Sequence, residues 1–334
     1  MKYMNVLIPS LYPRSEELIK KTRDFDRNRL NEQELEKYFY KDFIDFINLQ
    51  NELSLKYYNP GLFKFKDLLR PFTLVLKNSI ANTLIRFEET NTFWRKLEIS
   101  DFDLNYNNFE IIFKDYLYLD YFSKTNENLI NKKILITLPS VFTFYKYSNL
   151  SFEQINFLLL EFCKNLNSYL VNIKLSKENI SIVLVEYLDF SYSKDFELFK
   201  QNFEYLKKLL NELNKEDLEL FYFTYSNLNK VYLDIFSLEV KGISINFYRN
   251  NLKDIDFSKL SKYLLAGVIS TESSLLENQE KINNFLNNIS NYFDLNKMIF
   301  TIDFIPYLLP RSIMDYKLKN MIDILNKQEL IKTN

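Results

Sequence analysis

The chain has 334 residues, 47% hydrophobic and 26% charged, which is ordinary for a globular protein and enough to bury a sizeable core. Its net charge is −1, from 43 Lys and Arg against 44 Asp and Glu, and neither sign forms a long block, so the basic stripe of a nucleic-acid binder is missing. Histidine is absent and Cys163 is the only cysteine, which excludes an intrachain disulfide, a Ser-His-Asp triad, a histidine base and imidazole metal ligands.

Aromatic residues reach 17%, with 31 Phe and 24 Tyr, a skew that AT-rich coding explains better than a stacking function. No apolar run approaches the ~18 residues that a membrane span needs. The first residues lack the small-residue cleavage site of a signal peptide, so the expected location is the cytoplasm.

Taken in chain order, compact apolar runs alternate with amphipathic helical patterns. A strand is expected over residues 5–9, a helix over 31–53, a second strand over 55–59 and a helix near 66–77. Residues 82–125 then read as an insertion that holds a hairpin around 86–96 and a further helix. Six more strands follow at 133–138, 181–186, 219–225, 243–248, 265–269 and 298–303. Helices are expected over 152–171, 195–213, 278–292 and 312–325. Ser151, with Glu153 and Gln154 behind it, has the pattern of a helix N-cap, and Ser312 after Pro310 is read the same way. Cys163 falls inside one of these helices, where a buried structural thiol is expected. Eight strands joined by crossovers predict a (β/α)8 TIM barrel, one domain over residues 1–334, with the insertion of about 82–125 between its second and third strands. An open doubly wound sheet fits less well, because Gly61, Gly242 and Gly267 are too far apart to form a phosphate turn.

In such barrels chemistry gathers where strands end. That rule brings Arg14, Ser140, Thr143, Glu186, Asp189, Tyr225, Arg249, Glu272 and Asp303 to the mouth. Glu186 and Asp303 are the candidate catalytic carboxylates, with Glu272 as a third acid and Arg14 and Arg249 as anion-binding partners. Paired carboxylates can exchange protons with a substrate when their surroundings separate their pKa values. The competing account is a satisfied ring of ion pairs closing the barrel top. In the segment LIRFEETNTFWRKL, residues 84–97, Phe87, Phe93 and Trp94 either form a stacking wall for a planar ligand such as a pterin or line a half-exposed hairpin. Periodicity alone does not separate these two.

Several segments, in order, carry a family resemblance. YPRSEELIKKTRDFDRNRLNEQEL (residues 12–35) resembles the opening of cobalamin-independent methionine synthases and their archaeal relatives. LQNELSLKYYNPGLFKFKDLLRPF (49–72) is similar to that family's Q-x-x-x-G-x-D strand and following helix, and ETNTFWRK (89–96) to its T-N-x-aromatic segment, which contains Asn91. LPSVFTFYKYS (138–148) resembles its G-P-x-T-F strand end, and GVISTESSLLE (267–277) and KLKNMIDIL (317–325) its closing units. In this family zinc, held by His, two Cys and Glu, binds homocysteine as a thiolate that accepts a methyl group from methyltetrahydrofolate. The metal lowers the thiol pKa and keeps the sulfur nucleophilic near neutral pH.

At those ligand positions the chain reads Phe223–Tyr225, Asn246 and Asp303-Phe304-Ile305. The substrate acid after strand two is replaced around Leu62, and an aspartate of the fourth strand end is Val185, leaving Glu186 in register. The resemblance therefore implies the family's N-terminal, non-zinc barrel or its stand-alone archaeal form, with no metal or other cofactor held by this chain. It implies a role in methionine biosynthesis, binding a folate or another methyl donor, or acting as partner to a separate zinc-bearing barrel. Arg14, Lys20, Asn91, Trp94, Ser140, Thr143, Glu186, Arg249 and Glu272 are the ligand-binding candidates. Two alternatives stand beside this reading: a degenerate scaffold with an apolar mouth formed by Leu62, Val185, Phe304 and Ile305, and a metal-independent enzyme of the related decarboxylase superfamily.

Overall fold

The computed structural model describes residues 4–87, 92–125 and 132–327. After the N-terminal segment come α1 (Glu16–Asp26), α2 (Glu32–Glu52) and the short β1 (Tyr57–Tyr58). The chain then builds α3 (Phe72–Val75), β2 (Ser79–Ile80), β3 (Leu84–Arg86), β4 (Phe93–Arg95), β5 (Glu98–Ile99), α4 (Asn107–Ile111) and α5 (Leu119–Lys124). The remainder alternates: β6 (Lys133–Pro139), α6 (Val141–Lys146), α7 (Phe152–Asn172), β7 (Ile180–Glu186), α8 (Ser193–Asn214), β8 (Glu219–Thr224), α9 (Tyr232–Ser237), β9 (Gly242–Asn246), β10 (Tyr263–Ile269), α10 (Gln279–Ile289), β11 (Met298–Ile302) and α11 (Arg311–Lys327).

Seven strands form one parallel sheet in the order β1-β6-β7-β8-β9-β10-β11. Its two edges are joined by the N-terminal segment. Met4 N–H donates to the Ser54 carbonyl at 2.8 Å and Lys56 N–H to the Met4 carbonyl at 3.0 Å, while Leu7 N–H reaches Phe300 O at 2.9 Å and Phe300 N–H reaches Asn5 O at 2.9 Å. The sheet is thus curled on itself as in a TIM-type barrel. Strands covered on both faces have no polar alternation to show, and every residue of β7 is buried.

The longer helices each bury one apolar stripe. In α7 the buried Ile155, Leu158, Leu159, Phe162, Cys163, Leu166 and Leu170 recur every three or four residues. Ser151 caps the helix, accepting from Gln154 N–H while Gln154 returns a bond to Ser151 N–H, so two orphan donors are satisfied together. Cys163 is fully buried in this stripe, and burial pushes its thiol pKa up.

The strand expected over residues 5–9 is reduced to isolated bridges from Met4 to Leu55 and from Val6 to Phe300, so the main sheet has seven strands and not the expected eight. Two expected helical boundaries are also corrected. The helix expected near 66–77 is only the four-residue α3. Pro71 lacks an N–H and disfavours helix in the residue before it, and the Asp67 carboxylate holds Leu69 and Arg70 N–H at 3.0 and 3.1 Å in a turn instead. Ser312 is not a cap. Helix α11 begins one residue earlier, with the Pro310 carbonyl accepting its first bond from Met314 N–H at 3.1 Å. Between β1 and β6 the antiparallel pair β3–β4 aligns Ile85 with Trp94, and β2 pairs with β5.

Candidate functional site at the barrel mouth

The C-terminal strand ends converge on two sets of side chains, one polar and buried, the other aromatic. The polar set is centred on Glu186, the last residue of β7. Ser140 follows β6 and caps α6, and its hydroxyl donates to Glu186 Oε2. Thr143, one turn into α6, donates its hydroxyl to Glu186 Oε1 at 2.9 Å and accepts from Tyr187 N–H at 2.6 Å. Leu188 N–H donates to the same carboxylate at 2.8 Å, and the Tyr222 hydroxyl lies 3.3 Å from Oε2. Ser140, Thr143 and Glu186 are thus brought together, but all three have no exposed surface. Burial raises the Glu186 pKa to about 7, against the lowering effect of the bonds from Ser140, Leu188 and Thr143.

Asp303 follows β11. It accepts from Thr271 N–H at 2.7 Å and lies 3.1 Å from the Thr271 hydroxyl, while its Oδ2 is buried with no hydrogen-bond partner among the described residues. Burial raises its pKa to about 6. Arg249, beyond β9, bridges Glu272 at 2.6 Å and Asp189 at 3.3 Å. Its guanidinium also lies 5.0 Å from the ring centre of Tyr225 and 5.9 Å from that of Phe304. Burial works against its charge, but the Glu272 bond and the neighbouring acids outweigh it and raise its pKa. Its charge is therefore engaged by two carboxylates.

Arg14 and Lys20 lie apart from this network. Arg14 donates to the carbonyls of Phe63 at 2.6 Å and Phe65 at 3.3 Å and lies over the Phe39 ring. Lys20 is exposed on α1. Asn91 lies outside the described residues.

Trp94 settles the choice left open for its segment in part: Phe93 is exposed, whereas Trp94 and Phe87 are buried in the mouth. Their rings stack with centres 4.4 Å apart, and Trp94 Nε1 donates to the Tyr307 hydroxyl at 2.9 Å. Tyr147 lies 4.9 Å and Tyr187 5.4 Å from Trp94, and Tyr225 packs 4.3 Å from Phe304. The Tyr187 hydroxyl bonds Ser10 Oγ at 2.8 Å, tying the plug to the N-terminal segment. Tyr147, Tyr187 and Tyr307 were not singled out by sequence reasoning. For Tyr187 the signal was present, an aromatic residue directly after a buried strand, but abundant Tyr and Phe hide it. Leu62, Val185, Phe304 and Ile305, expected to leave an exposed apolar mouth, are all buried.

The residues at the family's zinc-ligand positions do not fit a zinc ion. Tyr225 and Phe304 present packed rings, and the Asn246 side-chain oxygen, the atom that would face a metal, already accepts from Tyr248 and Arg249 N–H at 2.8 and 3.2 Å while its nitrogen donates to Asp303 O at 3.1 Å. Among the described residues no group of three or more His, Cys, Asp or Glu side chains could hold a metal. Nor is any described helix long and apolar enough to cross a membrane.

No protein-family model matches the chain, and no curated protein matches it in sequence. Solved structures do match. A putative vitamin-B12-independent methionine synthase from Listeria monocytogenes superposes with a TM-score of 0.71 at 14% identity, covering 98% of both chains. A B12-independent methionine synthase from Shewanella sp. W3-18-1, solved with selenomethionine, gives 0.64 at 13% identity over 90% of this chain and 92% of that one. A methyltransferase from Methanosarcina mazei gives 0.55 at 10% identity over 96% and 94%. The chain has the fold of the vitamin-B12-independent methionine synthases, as its ordered sequence motifs led one to expect.

Proposed function

We propose that this chain serves homocysteine methylation as a non-zinc barrel, working with a separate zinc-bearing barrel and the methyl donor rather than activating the thiol itself. One observation carries the reading: the rings of Phe87, Trp94, Tyr187, Tyr225 and Phe304 fill the mouth, and Tyr225 and Phe304 stand where the sequence resemblance aligns zinc ligands. Phe87 already stacks on Trp94, so a folate cannot lie against that ring face without displacing Phe87.

A second reading, a metal-independent acid–base enzyme, draws on Glu186, whose pKa near 7 suits proton transfer. Its complete burial behind Ser140, Thr143 and Tyr222 sets it against a substrate role.

The test is methyl transfer from methyltetrahydrofolate to homocysteine, with the purified chain alone, with a zinc-bearing barrel, and with both. The expected result is no methionine from the chain alone and a faster rate when the two barrels are combined. Methionine made by this chain alone would overturn the proposal, and so would an unchanged rate in the mixture. Trp94 is the only tryptophan, so its fluorescence reports directly on the mouth.

A further inference from the structure

Beside the plugged mouth, β10, the segments that follow β9 and β10, and α10 border a cavity of about 400 Å³, within the size range of small-molecule sites. Phe247, Val268, Leu276, Ile282 and Phe285 form its apolar walls. At the rim Leu275 is 77% exposed.

One polar group in this lining is incompletely satisfied. Glu277 lies in the loop after β10, with its side chain only 2% exposed. Its Oε1 accepts from Ser270 N–H at 2.9 Å and pairs with Lys317 Nζ at 2.8 Å, and Lys317 also donates to the Leu275 carbonyl. Its Oε2 is buried with no hydrogen-bond partner among the described residues. A buried acceptor left unmade is costly, and a ligand that donates to it recovers that cost. The Glu277 charge is already balanced by Lys317, whose own side chain has no exposed surface. A second cation would therefore meet the Lys317 ammonium, whereas a neutral donor would not.

We propose that this cavity binds a compact apolar ring compound carrying one neutral N–H or O–H donor, which Glu277 Oε2 accepts. The site adjoins the mouth but is lined by none of Glu186, Trp94 and Arg249, and it does not depend on the reading given to them.

Titration calorimetry on the full chain tests this with three bicyclic probes of similar size. Indole supplies a neutral N–H, 1-methylindole lacks the donor, and 2-aminoindane supplies a cation. Indole is expected to bind saturably, and each of the others at least about tenfold more weakly, as the loss of one buried hydrogen bond implies. The variant Ser273→Trp, at the partly exposed rim of the cavity, should abolish indole binding with little change in melting temperature. The proposal is overturned if indole shows no saturable binding, if 1-methylindole matches it, if 2-aminoindane binds more tightly, or if a folded Ser273→Trp chain still binds indole. The probe series on the unaltered chain decides the matter even if that variant fails to fold.

Discussion

Glu186 accepts four hydrogen-bond contacts, from Ser140, Thr143, Leu188 N–H and Tyr222, in a fully buried site. Its pKa rises from 4.5 to about 7 because burial disfavours the charged form more than these bonds favour it. The folded state therefore holds this proton more tightly than the unfolded chain does. The sign follows: the stabilising effect of the neutral acid is complete below about 4.5 and is lost as pH rises through about 7. The difference across that window is on the order of 3 kcal/mol. Glu186→Gln keeps the shape and an acceptor but cannot ionise. Thermal melts between pH 5 and 8 should show the variant gaining on the wild type as pH rises. Parallel profiles would show that Glu186 is not the titrating group. Asp303, raised to about 6 with an unpartnered Oδ2, adds a slope of the same sign to both proteins and cancels in the comparison.

Trp94 is the other residue whose role only packing reveals. Its ring is 1% exposed, and its indole N–H ends on Tyr307. Trp94→Phe should cost about 1 kcal/mol through that hydrogen bond, and Trp94→Ala about 3–5 kcal/mol through the cavity it leaves. Urea denaturation followed by circular dichroism measures both. A Trp94→Ala loss below 1 kcal/mol would mean that the plug is not a packed part of the core.

At the scale of elements, α7 shows how far local signals carry. Ser151 and Gln154 form the reciprocal cap that their spacing announces, so Ser151→Ala should lower stability by about 1 kcal/mol. An unchanged denaturation midpoint in that variant would remove the cap from the account. The same local logic fails at residues 66–77, where the apolar pattern suggests a helix but Pro71 and the Asp67 turn divide it. The strand pair β3–β4 shows a different limit. Its sequence predicts a hairpin, but no local rule says that Trp94 and Phe87 fold inward while Phe93 faces solvent. Which face of a two-stranded ribbon is buried depends on what it lies against, and here that is Tyr187 and Tyr147 from distant parts of the chain.

At the scale of the whole molecule, residues 4–8 join the sheet's two edges, and Val6, Leu7 and Ile8 are almost wholly buried. Removing residues 1–8 would expose the free edges of β1 and β11 as well as their apolar faces. Unpaired strand edges recruit other chains, so the truncated protein should aggregate or melt without a cooperative transition. A monomeric truncation with the parent melting temperature, seen by gel filtration and calorimetry, would show that this closure is dispensable.

The strand expected over residues 5–9 is reduced to isolated bridges, but the order of the later strands and long helices was legible in the sequence because buried parallel strands and amphipathic helices write their periodicities locally. So was the absence of histidine, which removes imidazole chemistry wherever the chain folds. That Ser140, Thr143 and Glu186 share one rim was legible from the strand ends, but their bonding to one another was not: the expected grouping was of Glu186 with Glu272 and Asp303, which bond instead to separate partners. Tertiary structure alone decided that Ser140, Thr143 and Glu186 are sealed from solvent, that Arg14 is committed to the Phe63 and Phe65 carbonyls, and that Arg249 is held by Glu272 and Asp189. The physical reason is common to all three. Charge and aromaticity belong to a residue, whereas exposure, pKa and available lone pairs belong to the neighbours that distant segments bring to it.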